Sequence, residues 1–186
     1  HVIRKILTSV VFACFVGCCF YTVTAVHAWF GQVWNPAQYQ GLDATAYLET
    51  TFPEDAAAIR WLNEHVTGDP VVLEANGDSY SDYERVSAMT GLPTVLGWYV
   101  HEWLWRGDTG ALNERAQEVE AIYTSTNQEE VKKLLKKYQV RYIFVGARER
   151  EKYAALNESM LQSLGNIVFS DEQSQTYVLQ VAFSGQ

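Results

Sequence analysis

An α/β fold behind one N-terminal transmembrane helix is what the sequence predicts: a mixed sheet with helices packed on it, ending in a C-terminal β-hairpin. Three observations carry that expectation. From Ile6 to Phe30 there is no Asp, Glu, Lys or Arg. Farther along, segments with a helical apolar period alternate with short apolar runs rich in β-branched and aromatic residues, the pattern of helices laid on a sheet. Two such runs close the chain around a polar turn. The boundaries that follow are 1–30 for the transmembrane helix, 31–50 for a connector and 51–186 for an extracytoplasmic α/β domain.

At ~1.5 Å per residue the uncharged N-terminal run reaches roughly 37 Å as a helix, against a hydrocarbon core of ~30 Å. Arg4 and Lys5 precede it, and Trp29 and Trp34 stand at its far end, where an aromatic belt belongs. By the positive-inside rule the residues after 30 lie outside the cytoplasm. The competing reading is a cleaved signal peptide, with Arg4-Lys5 as its basic region and Val26-His27-Ala28 as a small-residue cleavage site. The run is longer than the ~7–15 apolar residues of such a peptide, and the chain opens on His1, so the expectation is a retained span, the last of a longer protein. Cys14, Cys18 and Cys19 all lie inside it. The outer residues have no cysteine, which excludes an internal disulfide and a thiolate metal site there.

Of the 14 Lys and Arg, two precede residue 31, so residues 31–186 carry 12 against 22 acids, a formal −10. That balance excludes nucleic acid as a partner by bulk attraction. Lys132, Lys133, Lys136, Lys137, Arg141, Arg148, Arg150 and Lys152 nevertheless cluster late in the chain. They read as a solvated helix face or as a patch for lipid headgroups or a phosphate.

In the connector, Asn35-Pro36 and Gly41 break regular structure. A helix starts near Pro53, with Glu54 and Asp55 at its positive end and Ala58, Ile59, Leu62 and Val66 as its stripe. Thr67-Gly68-Asp69-Pro70 ends it, and Val71 to Ala75 is a strand. Thr94 to Trp98 is expected to be a second strand, and His101 to Arg106 a short helix or turn. Leu112, Ala116, Val119, Ile122 and Tyr123 mark one helix. Val131, Leu134, Leu135 and Tyr138 mark the next, capped by Thr126 or Asn127 with Glu129 or Glu130 behind it; Glu129 and Lys133 form an i, i+4 pair. Val140 to Val145 is near-continuously apolar, as in a buried central strand. One helix is expected from Arg148 to Leu164, and Asn166–Ser170 with Thr176–Val181 forms the hairpin around Asp171-Glu172-Gln173-Ser174.

Asn76 to Asp108 has no clean period apart from Thr94–Trp98, yet it gathers Arg85, His101, Glu102 and Arg106 among Tyr80, Tyr83, Trp98, Tyr99, Trp103 and Trp105. It follows a strand directly, and in open α/β sheets ligand sites gather at the carboxyl ends of strands. His101-Glu102 can serve as a general base pair or, with Glu74 or Asp78, as metal ligands. Adjacent helical residues diverge, however, so hydrogen bonds that orient the loop are the simpler role. Arg85 and Arg106 can grip phosphate or carboxylate bidentately, or pair with Glu74, Asp78, Glu84 or Glu102. Trp98, Trp103 and Trp105 can stack on a sugar ring or lie at a membrane interface, with at least one packed in the core. Asn157-Glu158-Ser159 matches a glycosylation sequon. No Ser-His-Asp arrangement, Gly-rich phosphate loop or CxxC is present, so no catalytic residue, metal or cofactor is assigned.

"RVSAMTGLPTVLGWYVHEWLWRG" (Arg85 to Gly107) resembles the region after the last span in the uncharacterised "YYY" polytopic membrane proteins of bacteria and archaea. "LDATAYL" (Leu42 to Leu48), "AAIRWLNEHVTGDPVVLEANGDSYSDY" (Ala57 to Tyr83) and "YQVRYIFVGARER" (Tyr138 to Arg150) are similar to the same family. Tyr99-Val100 departs from the Pro-Gly expected before His-Glu. That family is remotely similar to membrane glycosyltransferases that use polyprenyl-phosphate sugars. The resemblance implies a cell-membrane protein whose outer C-terminal domain completes a site or binds acceptor, with Arg85, Trp98, His101, Glu102, Trp103 and Arg106 as candidate substrate-binding residues. Its partners would be the membrane, the remaining transmembrane part of the parent protein, and a polyprenyl-phosphate sugar or glycan acceptor. The catalytic acid of such enzymes usually lies in a first outer loop that this chain lacks. The alternatives are a non-enzymatic outer interaction or stabilising module, and a single-span hydrolase using His101 and Glu102.

Overall fold

The computed structural model describes residues 1–31, 35 and 44–182. Trp34, Pro36, Gly41 and the first residues of the "LDATAYL" match lie outside the described residues. The chain divides into two units, His1–Asp43 and Ala44–Gln186.

The first unit is helix α1 (Val2–Phe30), 29 residues long and apolar enough to cross a membrane. None of its side chains is buried. Its hydroxyls turn back onto the helix: Thr8 Oγ1 donates to the Arg4 carbonyl at 2.9 Å and Thr24 Oγ1 to the Phe20 carbonyl at 3.1 Å. That satisfies them without water, as hydrocarbon surroundings require.

The second unit is α/β. A 3-10 turn (Ala44–Tyr47) and α2 (Leu48–Thr51) lead into α3 (Pro53–His65), β1 (Val71–Leu73), α4 (Arg85–Thr90), α5 (Tyr99–Arg106), α6 (Gly110–Thr124) and α7 (Gln128–Lys137). Then come β2 (Val140–Val145), α8 (Ala147–Lys152), α9 (Glu158–Gln162), β3 (Gly165–Asp171) and β4 (Thr176–Val181). The sheet order is β1-β2-β4-β3: β1 runs parallel to β2, and β4 antiparallel to both β2 and β3. The near-continuous apolar run Val140–Val145 is a central strand, as its composition predicts, and β3–β4 is the expected hairpin.

Strand alternation sorts the core into two layers. Leu73, Ile143, Val145, Tyr177, Leu179 and Val181 meet Val119, Ile122, Tyr123, Val131, Leu135 and Leu161 on one face. Val72, Phe144 and Val178 meet Leu48, Phe52, Ala56, Ile59, Leu62 and Val86 on the other. Each layer buries side chains worth ~1.5–3 kcal/mol apiece for the larger aliphatics.

Local signals succeed where they are strong. Pro53 stands at the first turn of α3, and Asn127 caps α7 by accepting the Glu130 N–H. Glu129 pairs with Lys132 at 3.0 Å, one turn position earlier than the expected Lys133.

Three expectations are corrected. Thr94–Trp98 is not a strand; it touches the sheet through one parallel bridge, Val72 to Thr94. Pro93 has no N–H and accepts from Val72 at 2.9 Å, while the Val95 carbonyl takes Arg115 and the Gly97 N–H goes to Glu102, so the backbone groups of a ladder are already spent. The single helix over 148–164 is two. Tyr153 is buried and stacks on Tyr123 with ring centroids 4.8 Å apart, and Asn157 caps α9 through the Met160 N–H. Finally, Asn76–Asp108 is less irregular than expected, since it contains α4 in addition to the short helix expected near His101–Arg106.

Candidate functional site

The carboxyl ends of β1 and β2 meet the start of β4 at one end of the sheet. Tyr123 ties the two parallel strands there, its hydroxyl reaching the Leu73 and Phe144 carbonyls at 3.2 and 2.9 Å. The 76–108 stretch leaves the sheet at this end and returns to it, with the Tyr99 N–H donating to the Gly77 carbonyl at 3.2 Å.

Beneath the stretch lies a buried charge cluster. Glu74, directly after β1, accepts the Val86 and Ser87 N–H groups at 2.8 Å each and so caps α4. Arg85, 3 % exposed, is the first residue of that helix. Its Nε meets Asp55 of α3, its Nη2 reaches Glu149 of α8 at 3.0 Å, and its guanidinium lies over Phe144 at 5.2 Å. Glu149 also accepts the Ala75 and Gly146 N–H groups at 3.0 and 2.9 Å. Burial pushes the Glu149 carboxyl up, but Arg85 and those hydrogen bonds outweigh it and hold the carboxyl below its usual range. One guanidinium faces two carboxylates, and for Asp55 burial wins over Arg85, so its pKa rises. The partners expected for Arg85 were Glu74, Asp78, Glu84 or Glu102; it pairs with none of them. Both ends of its fork are taken inside the fold, which corrects its assignment as a surface anion grip.

Glu84 is a second buried carboxyl. Its backbone is left-handed (φ 59°), one carboxyl oxygen accepts the Gly77 N–H at 2.6 Å, and the other is buried without a partner. Burial pushes its pKa up to about 8, with Glu74 adding to the shift. Glu74 is raised to about 7, also by burial.

Above this cluster the remaining candidates separate into two groups. Tyr80, Trp98 and His101 form an aromatic trio with centroid separations of 5.5, 5.1 and 5.3 Å. Trp98 is half-buried, and its indole N–H donates to the Tyr83 carbonyl at 3.1 Å. Ser79 Oγ accepts the His101 backbone N–H at 3.1 Å and lies 2.7 Å from His101 Nδ1, so it caps the first turn of α5 and orients the ring. Tyr80 itself is 83 % exposed and left-handed (φ 61°). A non-glycine residue in that region costs of order 1–3 kcal/mol, and such residues gather at functional sites.

Glu102 accepts the Gly97 N–H at 2.8 Å and Arg106 Nε at 2.6 Å. With His101 on Ser79, this is the loop-orienting role that adjacency favoured. Trp103 and Arg106 are exposed along α5, beside Leu104 and Trp105. Trp105, 87 % exposed, and Ser79 were not among the predicted site residues. No periodic signal links Ser79 to a histidine 22 positions away.

Among the described residues no group of three His, Cys, Asp or Glu stands where it can hold a metal ion. The metal set built on His101, Glu102 and Glu74 is not assembled, because both Glu74 oxygens serve α4. What this part of the chain presents is aromatic faces, the His101 imidazole and the exposed Arg106 guanidinium. The Asn157 sequon is occupied structurally, its amide donating to the Ser125 carbonyl at 3.3 Å while its oxygen caps α9.

No protein-family model matches the chain, and no curated protein matches it. Among solved structures it is similar to the C-terminal globular domain of an oligosaccharyltransferase from Archaeoglobus fulgidus, at 12% identity and a TM-score of 0.44, over 69% of this chain and 97% of that one.

Proposed function

We propose that residues 44–182 form the extracytoplasmic, acceptor-binding or site-completing domain of a polyprenyl-phosphate-sugar-dependent membrane glycosyltransferase, anchored by α1. The observation that carries this is the Tyr80–Trp98–His101 trio, with Arg106 at the end of the helix that carries His101. Aromatic faces suit the C–H faces of a sugar ring, and a guanidinium suits a phosphate or carboxylate. The resemblance of Arg85–Gly107 to the outer domain of polytopic membrane proteins supports the same reading. In it, Trp98, His101 and Arg106 contact the ligand, and Glu102 holds Arg106 in place. Arg85 acts from below, as a positioning residue for α4. In this reading the isolated chain is not a self-sufficient enzyme, because the catalytic acid of such enzymes usually lies in a first outer loop.

Full-length protein carrying His101→Ala or Arg106→Ala is expected to lose sugar transfer while keeping its fold by circular dichroism. Normal transfer by both folded variants would sink the proposal. The engagement of His101 and Glu102 within the loop favours a second reading, a non-enzymatic outer module that binds a partner or stabilises the membrane part. It predicts unchanged transfer in these variants, and poor solubility or a mobile 76–108 loop when the domain is expressed alone.

A further inference from the structure

The C-terminal half of α5 stands apart from the trio. Its first half is fastened by Tyr99 to Asn113 at 2.9 Å, by His101 to Ser79 and by Glu102 to Gly97. Beyond that come Trp103, Leu104 and Trp105, exposed to 43, 67 and 87 %. Three consecutive large apolar side chains on the surface of a folded domain mark an interaction surface.

The occupant can be argued from helical geometry. A partner protein's groove takes a stripe at i, i+3, i+4, which covers one side of a helix. Residues 103, 104 and 105 are consecutive, so at ~100° per residue they fan across roughly 200° of the helix circumference. A helix end that is apolar on most sides suits a medium that surrounds it, not a single flat partner. The chemistry agrees: Trp is enriched at the membrane–water boundary, and Arg106 next in line can extend toward headgroups. A bilayer is also at hand. Helix α1 is long and apolar enough to span one, and residues 31–43 are a covalent tether of at most ~50 Å, which keeps that surface at high effective concentration. The formal −10 of residues 31–186 opposes attraction to anionic lipid, so the contact rests on apolar burial.

We propose that Trp103, Leu104 and Trp105 form a foot that inserts into the headgroup–acyl boundary of the bilayer holding α1. It depends on no ligand and does not rest on the glycosyltransferase reading.

The test uses the full chain, with Cys14, Cys18 and Cys19 replaced by alanine, reconstituted in phosphatidylcholine vesicles. A nitroxide is placed at Leu104→Cys or, as reference, at Asp69→Cys, an exposed position just before the amino end of β1. The expected result is that the label at 104 gains collisions with oxygen and loses collisions with a water-soluble nickel complex relative to the label at 69. Adding Trp105→Ser should return the label at 104 toward the behaviour at 69. Equal nickel accessibility at both positions overturns the proposal. So does a label at 104 shielded from both relaxants, which would mean that protein and not lipid covers the foot. The sugar-transfer assay is unaffected by either outcome, so failure here and failure of the proposed function are separable.

Discussion

At the scale of single residues the buried carboxyls decide how the domain responds to solution conditions. Glu84 has a folded pKa of about 8 and Glu74 of about 7, both above the ordinary 4.5 of an exposed glutamate. A raised acid binds more protons folded than unfolded across that window, so its stabilisation is complete below about 4.5 and is lost as pH rises toward 8. Glu149, shifted the other way, weakens the fold only as pH falls below its ordinary range. Melting the chain between pH 5 and 9 should therefore show stability declining with pH. Glu84→Gln, which keeps an acceptor for Gly77 but cannot ionise, should flatten that decline and be the more stable protein at pH 9. An unchanged slope would mean that Glu84 titrates normally. Arg85 supplies a sharper test. Replacing it with methionine strands Asp55 and Glu149 in the interior, and breaking a buried pair costs ~3–5 kcal/mol. Denaturant midpoints should fall accordingly for Arg85→Met. Arg85→Lys should recover only part of the loss, because an ammonium cannot face both carboxylates with a planar fork.

Elements were legible in the sequence where their signals are local. The cap at Asn127, the proline opening α3 and the polar turn of the hairpin each act within a few residues, and each element starts or ends where they stand. Asn127→Ala should cost about 1 kcal/mol, read as a lower melting temperature with α7 exchanging its amide hydrogens first. The failures share one cause, a partner distant in the chain. Thr94–Trp98 has the composition of a strand, but its ladder groups go to Arg115 and Glu102 side chains. The helix expected through residue 164 is interrupted because Tyr153 and Asn157 both answer to Tyr123, about 30 positions earlier. Arg85 finds its carboxylates 30 and 64 residues away. Composition gathered the candidate residues in one stretch, 76–108. It did not distinguish Trp98, held in the trio, from Trp105, left bare, because both are tryptophans in the same run.

For the whole molecule the order of the strands matters more than their number. β4 lies inside the sheet, between β2 and β3, although it is the last strand in the chain. A chain ending after Glu172 would lack it, leaving β2 unpaired along its β4-facing edge from Tyr142 to Val145 and β3 with no neighbour. Such an unpaired edge invites aggregation. We expect this truncated chain to be rapidly cleaved by protease under conditions where the full chain resists; equal resistance would show that β1, β2 and the helices suffice. The same arrangement sets a timetable for biosynthesis. Helix α1 leaves the ribosome before the sheet and can enter the bilayer while the domain is still being made, but the sheet has a gap at its middle until residues 176–181 arrive. The domain is therefore obliged to wait, tethered and unfinished, with the β2 edge open to other strands. Quality control that recognises an open strand edge would read the arrival of residues 176–181 as the signal that this sheet is closed.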